Sequence, residues 1–487
     1  MIHFLLIYVF GTLSSNVSAL PHNTSLCLDS NYESFVNTSI DTHKWNACRW
    51  SHQDALFNQG NPYFRFAQLG HDSAQKEIPV SARFDITFRC QNVSEDICRK
   101  AENAFQKAGQ IISDVVLFRE PVRVNATLVS FCAVGNECGK KMMTLGGSSP
   151  ARAMPLLSND GLLRLYPQAL VKQFGLADHP AYASYDILSV FNADAPFWFE
   201  DDGIPINPNE ADFTFVVLHE FMHGLGFYSG WNQYISSNAL TPDPSPFLAN
   251  QLLSLMNPIT NIVHPSQFLE SAMDKLIGVL NHDDDKIRTS SHPMISDLTR
   301  HLNRIQASSL AELTASSDFL VAKDMYRHSV TRGSLGVFFS PDEEPLLLET
   351  GLDPFQPGSS ISHVSFERYT NTPDFLMRFM QDRGLSLTSA IERGGGRGPI
   401  GPQLLRVLEQ LGYSTTRNPQ VIPPLLIFQN DINMSIKESA RTSGGLRQHT
   451  NQLDTKESSA YKIQLTISSV FLLVFSLVIQ YLHLYFF

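Results

Sequence analysis

The stretch FTFVVLHEFMHGLGFYSGW, residues 213–231, constrains the fold most, because it carries two histidines four positions apart in an apolar run. An α-helix places positions i and i+4 on one face about 6 Å apart, so His219 and His223 can direct imidazole nitrogens at one ion. Four apolar side chains at spacings of three and four predict that the opposite face is buried: Phe215, Leu218, Met222 and Leu225. The stretch therefore predicts half of a metal site on a buried helix.

Glu220 follows the first histidine and projects from the helix at a different angle. A carboxylate there can reach a water at the metal as general base without itself becoming a ligand. The alternative is an accidental HExxH on an exposed helix, but polar side chains on a largely buried helix need partners, and a metal supplies one. Gly224 and Gly226 allow the helix to end and the chain to turn sharply toward another ligand.

HEFMHGLGF resembles the active-site helix of metzincin metallopeptidases, most closely that of the leishmanolysin-like branch. In the long motif HExxHxxGxxH the third histidine would fall at Ser229. In the leishmanolysin-like branch an insertion after the glycine displaces that histidine, and a methionine in a tight turn beneath the metal follows it. The resemblance implies an α+β fold: a metzincin-like zincin with a twisted mixed sheet, an active-site helix, a mostly helical insertion and a C-terminal subdomain with a Met-turn.

The segment GSSISHVSFERYTNTPDFLMRFM is the best place for the missing ligand, since it offers His363 and, after the turn-forming residues 371–374, Met377. The resemblance implies one catalytic Zn²⁺ held by His219, His223 and His363, with Met377 in the supporting turn. Three imidazoles and an open fourth position suit the tetrahedral habit of zinc.

Other residues compete for these roles. Glu270 has an ExxxD spacing with Asp274 that is typical of gluzincins, in which a glutamate on a second helix completes the zinc site. Some metzincins carry an oxyanion-stabilising tyrosine two residues after the turn methionine, where this chain has Phe379. Tyr369 is the candidate to replace that tyrosine, but a packing role for Tyr369 is the better interpretation. Five further histidines lie in the insertion, most of them in polar sequence expected at the surface: His264, His282, His292, His301 and His328.

The start of the chain and its cysteines indicate a secretory route. An apolar run at residues 4–10 followed by small residues predicts a signal peptide cut near Ala19. All six cysteines lie in the first third, an even count typical of disulfides, and the spacing suggests the pairs Cys90 with Cys98 and Cys132 with Cys138. Glycosylation sequons occur at Asn23, Asn37, Asn92, Asn125 and Asn433.

The other end carries an apolar run at residues 465–487 that is long enough to span a bilayer. A cluster of small residues at 458–460 precedes it, which favours a cleaved GPI signal over a lasting membrane helix. Ser443, followed by two glycines, is a rival attachment site. The sequence therefore predicts anchorage at the cell surface.

Periodicity predicts a strand at 79–88, a helix at 97–118 and a strand at 122–131, followed by a short helix at 166–175, a strand at 185–193 and a helix from Gly401 to Gly412. Residues 265–280 have apolar spacings that predict a helix in the insertion. The expected organisation is a signal peptide (1–19), a Cys-containing N-terminal segment or pro-region (20–78), an N-terminal catalytic subdomain (79–229), a helical insertion (230–350), a C-terminal catalytic subdomain (351–413), a polar stalk (414–462) and the hydrophobic GPI signal or anchor (463–487).

A net charge of −11 with scattered basic residues gives no footprint for nucleic acid. The expectation is a secreted or cell-surface zinc metalloendopeptidase that acts on protein or peptide substrates, with Glu220 as general base and the membrane as partner through the C-terminal anchor. The alternative is an adhesion or binding protein that keeps the scaffold and metal without useful catalysis. Glu220 argues against it, since a protein without catalysis has no chemical need for that carboxylate.

Overall fold

The computed structural model describes residues 24–30, 43–49, 68–69, 83–135, 143–244, 268–280, 293–307, 310–341, 343–420 and 422–425. The predicted signal peptide, the stalk beyond residue 425 and the C-terminal hydrophobic segment lie outside these ranges. None of the described helices has the length and apolar character of a membrane span.

The strands are β1 (Thr24–Ser30), β2 (His43–Arg49), β3 (Gln68–Leu69), β4 (Phe84–Cys90), β5 (Val116–Leu117), β6 (Val122–Val129), β7 (Gly146–Pro150), β8 (Arg152–Leu157), β9 (Leu163–Pro167), β10 (Leu176–Asp178), β11 (Ile187–Asn192), β12 (Phe197–Trp198), β13 (Ala211–Asp212), β14 (Asn232–Ser236), β15 (Ala239–Thr241), β16 (Asp243–Pro244), β17 (Phe268–Ser271), β18 (Ile277–Val279), β19 (Leu335–Val337), β20 (Leu346–Leu347) and β21 (Ser414–Thr415). The α-helices are α1 (Glu95–Ser113), α2 (Phe131–Gly135), α3 (Gln168–Val171), α4 (Phe213–Gly224), α5 (Ile295–Leu302), α6 (Leu310–Ala315), α7 (Leu320–Ser329), α8 (Phe366–Tyr369), α9 (Leu387–Gly394) and α10 (Pro402–Leu411). The architecture is mixed α+β.

A four-stranded mixed sheet has the order β4-β6-β11-β7. Strands β4, β6 and β11 are parallel, whereas β7 runs antiparallel to β11 at the edge. The predicted strand, helix and strand near the start of the catalytic region are confirmed as β4, α1 and β6. Helix α1 begins at Ser94, whose hydroxyl accepts from the N–H of Ile97 and so satisfies a free donor of the first turn.

Helix α4 packs against this sheet and against α1 through aromatic side chains. Phe105 of α1 lies edge-on to Phe213 at a centroid distance of 5.6 Å, and Phe84 of β4 stacks on Phe221 at 5.5 Å. A Cβ added to Gly224 would come 2.5 Å from Ile187 of β11, so glycine permits this close approach. The four apolar residues predicted to be buried are confirmed as such: Phe215, Leu218, Met222 and Leu225. The helix is therefore fixed on a rigid core.

A second, six-stranded sheet has the order β16-β17-β9-β8-β1-β2. Its β17 corrects the predicted helix at 265–280, because residues 268–271 form a strand, 273–276 a 3₁₀ helix and 277–279 another strand. All four residues of β17 are buried, so the strand lacks the alternation that distinguishes a strand from a helix in sequence. The described part of the insertion holds seven strands, β14–β20, beside helices α5–α7, and is mixed rather than mostly helical.

Disulfides link Cys27 to Cys48 and Cys90 to Cys98, which confirms the predicted pairing of Cys90 with Cys98. Cys132 is also disulfide-bonded, but Cys138 lies outside the described residues, and so do the sequons at Asn23, Asn37 and Asn433. The sequon asparagine Asn92 is exposed. Asn125 lies in the interior strand β6 with a buried Oδ1, so it does not occupy the surface loop that glycosylation requires.

The remaining predicted elements are confirmed. The short helix at 166–175 is α3 continued by a 3₁₀ turn that Gly175 ends in the left-handed conformation, and the strand at 185–193 is β11. Helix α10 begins after Gly401 with a proline in its first turn and ends at Gly412, which has φ of +117°.

Candidate metal centre

Three imidazole rings meet at one point of the fold. His219 and His223 lie on α4, and His363 lies just before α8, 140 residues after His223. The Nε2 atoms of every pair are 3.1 Å apart. In the described part of the chain, these are the side chains whose ligand atoms converge closely enough to hold a metal. The structure thus brings together all three residues that the sequence suggested as ligands.

A backbone carbonyl orients each ring through its other nitrogen. The Nδ1–H groups donate as follows: His219 to Leu376 at 2.7 Å, His223 to Phe227 at 2.7 Å and His363 to Ser359 at 3.0 Å. A carbonyl only accepts, so Nδ1 carries the proton of each neutral ring and Nε2 is left with a bare lone pair. Three lone pairs therefore face one another with no proton between them, an arrangement that a cation stabilises.

The spacing and protonation fit zinc. Three nitrogen atoms 3.1 Å apart lie about 1.8 Å from their common centre, so all three could reach one ion at the zinc–nitrogen distance of about 2.0–2.1 Å. Burial lowers the pKa of His219 to about 4 and that of His223 to about 3, and it holds the pKa of His363 well below its usual value. All three rings are neutral at pH 7, which is the form that binds metal.

The end of α4 explains the orientation of His223. Gly226 has φ of +116°, its N–H donates to the carbonyl of His223, and the N–H of Phe227 donates to that of Met222. This is the Schellman arrangement with glycine in the left-handed position. It turns the carbonyl of Phe227 back to the imidazole, so the glycine predicted to end the helix also fixes a ligand.

Ser229 occupies the place where the long motif has its third histidine. Its N–H donates to Oγ of Ser362 at 3.1 Å, so the chain after α4 lies beside the residue that precedes His363. Its hydroxyl donates to Asp274 at 2.6 Å, and the same carboxylate accepts from the N–H of Gly230. The segment that carries His363 therefore lies beside Ser229, the position where the long motif has its third histidine.

Met377 ends a 3₁₀ turn, Phe375–Met377, and is fully buried. The carbonyl of Leu376 in this turn accepts from His219, and the carbonyl of Met377 accepts from the N–H of Val364, next to His363. The turn thus joins the helix that carries two of the histidines to the segment that carries the third. The role of Met377 in a supporting Met-turn stays a prediction.

Glu220 lines the same cavity as the three histidines and is 9% exposed. Burial raises the pKa of its carboxyl to about 8, and a hydrogen bond from the backbone of Ser148 opposes that rise. Ser148 belongs to the edge strand β7. A cation between the histidines would favour the ionised carboxylate, because opposite charges nearby favour the charged form.

The histidines open into a cleft of about 1250 Å³. All five residues of β7 line it, together with the turn after α4 and the segment that follows Met377. Phe379 lies on its wall, whereas Tyr369 is not part of the lining and accepts from the N–H of Leu347, which agrees with a packing role. The cleft therefore extends along the whole of strand β7.

Glu270 does not join the histidines. It is fully buried and pairs with Nε of Arg164 at 2.8 Å, and its carboxylate also accepts from Ser296 and Thr299. Its gluzincin partner in sequence, Asp274, holds the turn at Ser229 instead. His301 and His328 lie on α5 and α7, away from the triad, while His264, His282 and His292 lie outside the described residues.

Sequence reasoning missed the residues that support the site. Ser148 gives no local signal, because it acts through its backbone. Asp274 had a signal that was interpreted differently: a short acidic side chain beside a tight turn accepts backbone N–H groups more often than it binds metal.

A model of the SPBPB7E8-like family matches residues 37–446, which include every residue of the candidate site. The chain belongs to the SPBPB7E8-like family. A relative in Schizosaccharomyces pombe, the uncharacterized protein PB7E8.01, is 30% identical over 361 residues, which cover 68% of this chain and 62% of the relative. The match thus spans less than two thirds of the length of that relative. No solved structure matches the chain.

Proposed function

We propose that the chain is a zinc-dependent metalloendopeptidase of the secretory route and the cell surface, with a metzincin-like arrangement of its site. The observation that carries the proposal is the convergence of three unprotonated Nε2 atoms at 3.1 Å beside a buried glutamate. His219, His223 and His363 would hold the ion. Three neutral imidazoles with one open side are the donor set of catalytic zinc.

The shape of the cleft supports a peptide substrate. In the described part of the chain, β7 pairs with β11 alone, and its five residues line the cleft. An exposed strand edge binds an extended peptide by adding it as another strand. A peptide bound along β7 would pass the histidines with its backbone held at fixed register.

When bound by the three imidazoles, zinc would supply Lewis acidity and would lower the pKa of a water toward neutrality. Glu220 accepts the proton of the attacking water and passes it to the leaving amine. The backbone of Ser148 opposes the rise in the pKa of Glu220 and so favours the ionised carboxylate, which is the form that accepts a proton. The carbonyls of Phe227, Ser359 and Leu376 keep the imidazoles in the tautomer that binds metal.

The proposed location outside the cytosol is supported by the two disulfides, which persist in oxidising compartments. The proposed GPI anchor rests on the sequence of residues 463–487 alone.

Glu220→Gln tests the catalytic role. The variant should keep its zinc, because the side chain is not a ligand, and should lose about 10²–10⁴-fold in peptide hydrolysis, the usual contribution of a general base. Zinc content by mass spectrometry and chelator-sensitive cleavage of casein measure the two effects. Zinc retained by the wild type without any chelator-sensitive cleavage would instead support the adhesion or binding protein.

His363→Ala tests the third ligand. It should lose both zinc and activity, whereas His301→Ala, at a half-exposed position on α5, should keep both. Equal zinc content in the two variants would exclude His363 as a ligand.

A further inference from the structure

The N-terminal hairpin, β1 with β2, is built into the six-stranded sheet. Strand β1 lies between β2 and β8 and is hydrogen-bonded to both. Leu28 pairs with Ala153 and Asp29 with Arg152 in the antiparallel register, and the N–H of Ser30 donates to the carbonyl of Ala151. The hairpin cannot leave without breaking the backbone hydrogen bonds between β1 and β8.

Side chains strengthen this attachment. Asp29 accepts from Nε and Nη2 of Arg152 at 2.6 and 2.7 Å, and from Asn46 of β2 at 2.8 Å. Cys27 and Cys48, joined as a disulfide, are both buried in the main core. The contact with Arg152 and the burial of Cys27 and Cys48 in the core hold the hairpin against the rest of the fold, and the disulfide joins its two strands.

The hairpin also reaches the cleft. Leu28 and Ser30 line it, and the hydroxyl of Ser30 donates at 2.7 Å to the carbonyl of Pro150, the last residue of β7. Leu28 packs with Ala153 of β8 and Leu165 of β9, and all three line the cleft. We call these three residues the apolar floor. It continues the wall past the end of β7, since only Ala151 separates β7 from β8.

We propose that the β1–β2 hairpin is retained in the active protein and that the apolar floor forms a subsite for an apolar side chain of the peptide substrate. The subsite rests on the proposed function, because an extended peptide bound along β7 and continuing past Pro150 reaches the floor. Retention of the hairpin rests on its attachment to the rest of the fold and is independent of the proposed function. Residues 20–78 therefore do not form a segment that is removed as a whole.

The mass of the mature full-length protein, secreted from a eukaryotic host and purified in its active form, tests retention. Peptides that cover residues 24–49 should be present in stoichiometric amount. Active protein that lacks them would overturn the proposal.

Cleavage of a peptide library by the full-length protein tests the subsite. Leu28→Ala enlarges the floor and should change kcat/KM at one substrate position by about tenfold or more between large and small apolar residues, as pocket methylenes do. Leu28→Val gives a milder change if the alanine variant folds poorly. Leu163→Ala is the matched control, because Leu163 packs against the same residues without lining the cleft.

A library profile shared by the wild type, Leu28→Val and Leu163→Ala would overturn the subsite. If the wild type retains the hairpin and cleaves nothing, the proposed function and the subsite both fall, while retention stands.

Discussion

Glu270→Ala distinguishes a buried structural carboxylate from a zinc ligand. Arg164 and Glu270 are both fully buried, and Arg164 is also held by Asp160 through Nη1 and Nη2 at 2.6 and 2.9 Å. Removal of Glu270 leaves the guanidinium with one carboxylate, and the hydroxyls of Ser296 and Thr299 lose an acceptor. Asp160 still balances the charge of Arg164, so the perturbation is the loss of an acceptor for three buried donors, and it lies in β17 rather than at the histidines.

A buried donor without an acceptor costs about 1–3 kcal/mol, and because the two hydroxyls can rotate toward other acceptors, the loss of the three contacts costs about 3–5 kcal/mol in the free energy of unfolding. Unfolding entropy of about 2.1 cal/mol/K per residue gives roughly 0.8 kcal/mol/K for the unit of about 400 residues that contains the described part. Dividing the free-energy loss by this unfolding entropy gives a decrease of about 4–6 °C in Tm. Zinc content should stay equal to that of the wild type at temperatures where the variant is folded.

Differential scanning fluorimetry and zinc analysis of the same sample provide the assay. Glu367→Ala is the control, since its ion pair with Arg332 has both side chains more than 70% exposed and such pairs contribute about 0–1 kcal/mol. A Glu270→Ala protein that loses zinc while its Tm stays within 1 °C, on the order of the fluorimetry error, would refute the reasoning and favour the gluzincin ligand set.

Three further predictions concern the turn after α4 and the ion. Gly226→Ala places a side chain at φ of +116° and should cost about 1–3 kcal/mol of stability and weaken zinc binding, which calorimetry and competition with a chelator measure; unchanged zinc affinity would contradict the role of the Phe227 carbonyl. Burial raises the pKa of Asp274 to about 7, so the native state binds the extra proton between pH 4 and 7 and stability falls as pH rises through that window. Asp274→Asn, which keeps an acceptor for the backbone N–H groups of Gly230 and Ser271, should remove that fall in stability, worth on the order of a few kcal/mol, in urea titrations at several pH values; parallel curves for both proteins would contradict it. Removal of zinc by a chelator should lower Tm by about 5 °C if zinc was present at about 1,000 times its Kd, and a Tm insensitive to both chelator and added zinc would contradict the metal site.

The sequence predicted the elements whose signals are local. Helix α4 has the 3.6-residue apolar pattern, and α10 has a proline at its start and a glycine at each end. The segments of β4 and β6 have the two-residue period of strands, and α1 between them has the helical period. The pair His219 and His223 could be read for the same reason, because the helix alone brings them together.

Long-range features could not be predicted from the same signals. His363 was found only through the resemblance to a family motif, since no periodicity links it to α4. Strand β17 was interpreted as a helix because burial on both faces removes the alternation of a strand. The role of Glu270 depends on Arg164, which is 106 residues away, and a local ExxxD spacing carries no information about that partner.

The distance of His363 from α4 along the chain has a small energetic consequence. In the long motif the third histidine comes six positions after the second, whereas here it comes 140 positions after it. The entropic cost of closing a flexible loop grows as (3/2)RT ln n, so the longer connection costs only about 3 kcal/mol more, and doubling it again would add about 0.6 kcal/mol. Residues 230–350 can therefore gain or lose whole elements over evolution while the three imidazoles keep their places, provided that the carbonyls of Phe227, Ser359 and Leu376 stay in position.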